Sequence, residues 1–151
     1  MKSKGFTLIE LLVAVMIVGI LSAVAVSSYQ DYITRANRAD AKAVLMEVAG
    51  WMERNYSAKG CYHQLVSSAN DCSVATATVT VPIGQSPKTG TAKYNITLPT
   101  LTATTFTAQA ASPEGGWSDA ECGTLTLNHL GQQGASGEAD TVAEIADCWQ
   151  R

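Results

Sequence analysis

The chain has four cysteines, and their spacing restricts the kinds of site that they could form. They are Cys61, Cys72, Cys122 and Cys148. A structural Zn²⁺ site usually needs closely spaced cysteine pairs, which are missing here, and the two histidines, His63 and His129, stand alone in the sequence. We therefore expect disulfides and no metal site. Three pairings are open, and Cys61–Cys72 with Cys122–Cys148 is favoured because each bond closes a local loop.

Groups that could catalyse a reaction form no recognisable constellation. The Asp and Glu residues are scattered, the two histidines are far apart, and no Gly-rich phosphate loop follows a predicted strand. We therefore expect a structural protein that is not an enzyme and has no cofactor.

Three cations, Arg35, Arg38 and Lys42, are spaced to lie together on one face of a helix. They could contact DNA, or they could form a solvated face or charge partners for adjacent subunits. The chain has 10 Lys and Arg residues against 13 Asp and Glu residues, a net charge of −3. Since most general affinity for nucleic acid comes from neutralising phosphates, nucleic acid is not expected as a partner.

A carboxylate, Glu10, lies within an apolar run of 21 residues from Phe6 to Val26. As a helix this run is about 31 Å long, close to the hydrocarbon thickness of a bilayer. Three interpretations compete: a secretory signal cut near Ala23–Ala25, a plain membrane anchor, and a processing junction at Gly5–Phe6 before an assembling helix. Only the processing junction before an assembling helix explains Glu10, because a charge inside an apolar run is costly unless it has a partner.

The segments around this run are expected to position it. Residues 27–57 have apolar residues at three- and four-residue spacings, which predicts that the helix continues in amphipathic form until Gly60 stops it. The remainder predicts closely spaced strands followed by an irregular end from Gly131 to Cys148–Trp149. The predicted strands are Val74–Val81 (alternatively an extended loop), Ala92–Leu98, Thr102–Ala110 and Cys122–Leu130. We expect an α+β fold with a long helix over about residues 6–57, packed on an antiparallel sheet of about four strands.

The stretch Lys4-Gly5-Phe6-Thr7-Leu8-Ile9-Glu10-Leu11 resembles the leader and N-terminus of type IV prepilins. The resemblance implies that a prepilin peptidase cuts between Gly5 and Phe6 and then methylates the amine of Phe6. It implies that Glu10 pairs with the N-terminal amine of a neighbouring subunit during assembly. The alternative is that Glu10 reaches the lipid headgroups from the end of the helix.

The segments Cys122–Asn128 and Asp147–Trp149 resemble minor type IVa pilins of the PilE class, which occur in Gram-negative bacteria. The resemblance implies a leader at residues 1–5, a transmembrane and assembly helix at 6–26, an amphipathic half at 27–57 and a globular β domain at 58–151. In pilins the C-terminal disulfide bounds a variable region, and the pair Cys122 and Cys148 fits that place.

The function implied is a minor subunit of a type IV pilus that helps to initiate assembly for twitching motility, adhesion or DNA uptake. Its expected partners are prepilin peptidase, other major and minor pilins, the inner-membrane assembly machinery and the inner membrane. The expected location is the inner membrane before assembly and the pilus at the cell surface afterwards. A major pilin, a type II secretion pseudopilin and a DNA-binding competence pilin are the alternatives.

Overall fold

The computed structural model describes residues 5–63, 72, 79, 81–137 and 141–150, with the side chain of Ser27 outside the description. The chain divides into two compact units, Met1–Arg35 and Ala36–Arg151.

One helix, α1, runs from Leu8 to Lys59 without interruption. Apolar residues that favour helix fill its first half, and Thr7 caps its N-terminus. Gly60 ends it with a φ of 79° and donates its N–H to the carbonyl of Tyr56 at 2.7 Å. Glycine suits this place because a left-handed residue after the last turn is strained for any side chain. The stop predicted at Gly60 is confirmed.

In the first unit, the apolar side chains of α1 are exposed to solvent throughout. They include Phe6 at 88% and Ile9 at 71% of full exposure, and the pattern continues to Val26. By length and composition, α1 contains a segment able to cross a membrane. A continuous apolar surface of this size indicates contact with lipid or with other apolar helices.

The second unit contains an antiparallel sheet of five strands in sequence order. The strands are β1 (Gln85–Ser86), β2 (Tyr94–Leu101), β3 (Phe106–Ala111), β4 (Leu125–Asn128) and β5 (Gln133–Ala135). Alternating burial along β3 and β4 turns one face of the sheet to the core. The predicted α+β class is confirmed, with five strands where about four were expected.

The two additional strands are short and lie in segments that the sequence predicted as loop or irregular. β1 has two residues and β5 has three, so neither is long enough to show alternation. The three central strands match predicted ones. The predicted strand Val74–Val81 falls largely outside the described residues, and its described members, Val79 and Val81, lie in no strand.

A second helix, α2, runs from Val142 to Gln150, where the sequence predicted irregular chain. That prediction was wrong. Thr141 accepts a hydrogen bond from the N–H of Glu144 at 3.2 Å, and the Glu144 carboxylate accepts one from the N–H of Thr141 at 2.9 Å. This reciprocal capping box starts the helix, and its Thr-x-x-Glu spacing was visible in the sequence.

The core of the second unit lies between α1 and the sheet. Ala41, Val44, Leu45, Val48 and Met52 of α1 are buried, which confirms the predicted apolar face, although Trp51 is only half-buried. They share one cluster with buried residues of the strands and of α2, namely Tyr94, Ile96, Phe106, Ala108, Ala110, Leu125, Leu127 and Trp149.

Candidate functional site

Glu10 and Thr7 form a capping box at the start of α1. The Thr7 N–H and hydroxyl donate hydrogen bonds to Oε2 of Glu10 at 3.0 and 2.7 Å, and the Glu10 N–H donates to the Thr7 hydroxyl at 3.3 Å. Thr7 precedes the helix by one residue, which is the N-cap position. The carboxylate is thus held at the positive end of the helix dipole by its own chain.

Apolar side chains flank this exposed carboxylate. Phe6, Ile9, Val13 and Ile17 recur at helical spacing and line one shallow groove together with Glu10. A carboxylate in such a groove is weakly solvated once lipid or another helix covers it, and it then favours a cationic partner. This arrangement can bind an ammonium group from another apolar segment.

The Gly5–Phe6 bond precedes this capping box. Gly5, Phe6 and Thr7 lie outside the helix and are exposed, and nothing lies within 4 Å of the position that a Gly5 Cβ would take. An exposed, non-helical backbone is what a peptidase needs in order to bind a peptide bond. Residues 1–4 lie outside the described residues.

Arg38 is buried in the second unit and forms an ion pair with Asp119. Its Nε donates to Oδ2 of Asp119, and its Nη2 donates to Oδ1 at 2.7 Å. Nη2 also donates to the exposed Glu121 at 2.8 Å. The Tyr94 hydroxyl donates to Asp119 at 3.0 Å. The sequence predicted Arg38 on a charged surface face. That prediction was wrong, because Arg38 is buried and bound to the carboxylate of Asp119, 81 residues away along the chain.

Lys42 is also buried, and it caps the C-terminal end of α2. Its Nζ donates to the carbonyls of Cys148 and Trp149 at 3.3 and 3.2 Å. The last carbonyls of a helix lack intrahelical partners and carry partial negative charge, so an ammonium group is favourable there. Of the three cations predicted to share a surface face, only Arg35 is exposed.

The protonation equilibria of this cluster reflect burial and pairing. The hydrogen bond to Asp119 raises the pKa of Arg38, and burial followed by repulsion from Arg38 lowers that of Lys42. Burial alone would raise the pKa of Asp119, but hydrogen bonds from Arg38, the Cys122 N–H and Tyr94 outweigh it and hold the pKa below its usual value. Asp119 is therefore ionised at neutral pH.

Two disulfides, Cys61–Cys72 and Cys122–Cys148, give the local pairing favoured by the sequence. His63 is buried and His129 is half-buried. Among the described residues, no group of three His, Cys, Asp or Glu side chains is placed to hold a metal ion.

An apolar N-terminal helix with a capped carboxylate, continued into a helix that packs on an antiparallel sheet with a C-terminal disulfide, defines a type IV pilin subunit. Residues 1–26 match the family model described as "Prokaryotic N-terminal methylation motif". Residues 27–126 match the model described as "Type IV minor pilin ComP, DNA uptake sequence receptor", and the chain belongs to this family. This is a family of structural subunits and not of enzymes.

Curated relatives are fimbrial proteins. The fimbrial protein EcpC of Eikenella corrodens is 42% identical over 59 residues, which are 39% of each chain. A fimbrial protein of Neisseria meningitidis is 41% identical over 92 residues, covering 48% of this chain and 54% of the relative. The matched stretches thus span about half or less of the length of these relatives. Processing by a prepilin peptidase and contact with other pilins are properties of the pilin family as a whole.

A solved structure, the non-core minor pilin PilV of Neisseria meningitidis, is similar to the chain at 23% identity. The comparison covers 73% of this chain and 93% of PilV with a TM-score of 0.46.

Proposed function

We propose that this chain is a minor type IV pilus subunit that is cut between Gly5 and Phe6, methylated on the new amine and incorporated into the filament through Glu10. Residues 1–5 are the leader, 6–26 the transmembrane and assembly helix, 27–57 its amphipathic half and 58–151 the globular domain. The observation that carries the proposal is the capped carboxylate of Glu10 within the exposed apolar surface of α1.

The capping box explains how the Glu10 carboxylate can be tolerated in a membrane before assembly. The Thr7 N–H and hydroxyl satisfy its Oε2, which reduces the cost of a carboxylate in an apolar environment. Cleavage after Gly5 creates an ammonium group on Phe6, beside Thr7. When a second subunit arrives, its ammonium can pair with Glu10, and a buried charge that requires a partner fixes the register of the two helices.

The location and partners follow from this mechanism. Before assembly the apolar helix holds the subunit in the inner membrane of a Gram-negative cell, where prepilin peptidase and the assembly machinery act on it. After assembly the apolar helices of this and other pilins cover one another, and the globular domain lies at the surface of the pilus. As a minor subunit, the chain helps to initiate filaments that serve twitching motility, adhesion or DNA uptake.

A DNA receptor is the second candidate, and the description of the matched family favours it. The charges oppose it. Cleavage after Gly5 removes Lys2 and Lys4, so 10 − 2 = 8 basic residues remain against 13 acidic ones, a net charge of −5. Arg38 and Lys42 are buried, and Lys88 pairs with Glu47. Phosphate neutralisation is the main source of affinity for DNA, so we rank this candidate below the assembly role.

The assembly role is tested by replacing Glu10 with Ala. We expect Glu10→Ala to be cleaved and inserted in the membrane but to be recovered poorly in sheared filaments, measured by immunoblot against the membrane fraction. Glu144→Ala is the matched control because it removes the same kind of capping box from α2 and should leave recovery unchanged. Normal recovery of Glu10→Ala in filaments contradicts the proposal.

The alternatives have their own readouts. A major pilin would dominate the sheared fraction, whereas a minor subunit is scarce in it. A DNA receptor would bind labelled duplex DNA at physiological salt and lose that binding to an unlabelled competitor.

A further inference from the structure

Arg38 and Lys42 lie four residues apart on α1, which places them one helical turn from each other on the same side. Lys42 binds the Cys148 end of the region bounded by the Cys122–Cys148 disulfide, and Arg38 binds Asp119, three residues before the Cys122 end. We call this region, residues 122–148, the C-terminal loop. Of two buried cations on one helix, Lys42 therefore contacts one end of the covalent loop and Arg38 contacts the residues that immediately precede the other end.

The Cys122 end is held through Asp119. Its Oδ1 accepts a hydrogen bond from the Cys122 N–H at 3.1 Å and another from Nη2 of Arg38 at 2.7 Å. The Asp119 carbonyl accepts a bond from the Gly123 N–H at 2.8 Å. Arg38 thus fixes the carboxylate that fixes the backbone of Cys122.

The Cys148 end is held by Lys42 directly. Its ammonium group binds the carbonyls of Cys148 and Trp149 at 3.3 and 3.2 Å. The indole N–H of Trp149 then donates to the Gly134 carbonyl at 3.0 Å, which ties the same turn of α2 to β5. None of these bonds involves a cysteine sulfur, so each can form before the disulfide does.

We propose that Arg38 and Lys42 are positioning residues for the second disulfide. Lys42 binds the Cys148 end of the C-terminal loop to α1 directly, and Arg38 binds the Cys122 end to α1 through Asp119. Together they raise the effective concentration of the Cys122 and Cys148 thiols toward each other and so direct the pairing of the four cysteines. Closing a loop between residues 26 apart costs chain entropy, and noncovalent bonds that already hold its ends remove most of that cost. By linkage, the disulfide strengthens the same bonds in return.

The oxidant for this step is a disulfide, either a small molecule such as oxidised glutathione or an oxidoreductase. A thiolate of one cysteine attacks the external disulfide to give a mixed disulfide and one reduced thiol. The second cysteine displaces the other thiol. Two protein thiols are oxidised, one external disulfide is reduced to two thiols, and no net proton is released.

The first experiment measures the equilibrium constant of each cysteine pair with glutathione, using the full chain in detergent, acid quenching, alkylation and peptide mass spectrometry. We expect Lys42→Met to lower the constant for Cys122–Cys148 by about tenfold, the effect of losing a charged hydrogen bond. Asp119→Asn should lower it as well, and Lys42→Arg, which keeps a cationic donor, should restore most of it.

Two internal controls accompany these variants. Cys61–Cys72 in the same molecules should keep its constant within about twofold. Lys88→Met removes an exposed cation that pairs with Glu47, and it should change neither disulfide. An unchanged constant for Cys122–Cys148 in both Lys42→Met and Asp119→Asn overturns the proposal, and so does an equal fall for both disulfides.

A second experiment removes the disulfide. In the full chain with Cys122→Ser and Cys148→Ser, the proposal requires that the amides of Cys148→Ser and Trp149 keep their protection from hydrogen exchange. Adding Lys42→Met should then abolish the protection. Loss of protection in the double serine variant alone shows that the noncovalent bonds do not hold the loop, and it overturns the proposal even where a variant of the first experiment folds poorly.

Discussion

Replacing Arg38 with Met tests the buried ion pair of the globular unit. Met reproduces the side chain of Arg as far as the position of Nε and keeps the apolar packing of that stem, but it removes the guanidinium from a carboxylate whose side chain is 1% exposed. Breaking a buried pair by removing one partner costs about 3–5 kcal/mol. Because Asp119 keeps hydrogen bonds from Tyr94 and Cys122, we expect the lower end, about 3 kcal/mol. Glu121 adds little, since its side chain is 63% exposed.

The assay is urea unfolding of the full chain in detergent, followed by tryptophan fluorescence and analysed as a double-mutant cycle. Arg38→Met combined with Asp119→Asn no longer leaves a buried charge, so the double variant should lose less than the sum of the single losses, by about 1–2 kcal/mol or more. Lys88→Met, at an exposed pair, should cost less than about 1 kcal/mol. Additive losses at Arg38 and Asp119 would refute the reasoning.

Three further expectations follow from the same contacts. The pKa of Asp119 is lowered in the folded chain, so its stabilisation is present above the ordinary carboxyl pKa of about 3.9 and is lost as pH falls below it; acid unfolding should be shallower in Asp119→Asn. Gly137→Ala should lower the unfolding midpoint in urea, because its Cβ would lie 2.6 Å from the backbone nitrogen of Gly123, whereas Gly84→Ala, with open space, should not. Thr7→Val should be cleaved normally yet accumulate less in membranes, seen by pulse-chase immunoblot, because it removes the hydroxyl that binds Glu10, and equal accumulation would contradict this.

Much of the fold could be predicted because its signals are local. The apolar face of α1 repeats every three or four residues, and β3 and β4 alternate between buried and half-buried positions. α2 was missed although Thr141 and Glu144 carry the capping signature and Val142, Ile145 and Trp149 follow at helical spacing. The glycine-rich chain before α2 favoured an irregular structure, and the prediction extended it over this helix of nine residues.

The burial of Arg38 and Lys42 could not be predicted from local sequence patterns. Their partners lie 81 and 106 residues away along the chain, and a helix pattern alone places charged residues on the solvent side. Burial of these two cations is favourable only because Asp119 and the C-terminal end of α2 pack against α1 and supply their hydrogen-bond acceptors. Glu10 is the opposite case, because its capping partner lies three residues away within the same motif.

The N-terminal residue and intact mass of the chain recovered from membranes test the central claim most directly. A chain that starts at Phe6 and carries one methyl group on its N-terminal amine is the predicted result, since it establishes prepilin processing and places an amine next to the Glu10 box. An intact Met1 would contradict the account, because no ammonium group would then form on Phe6 beside the Glu10 box. A start near Val26 would also contradict it, because Glu10 itself would be removed.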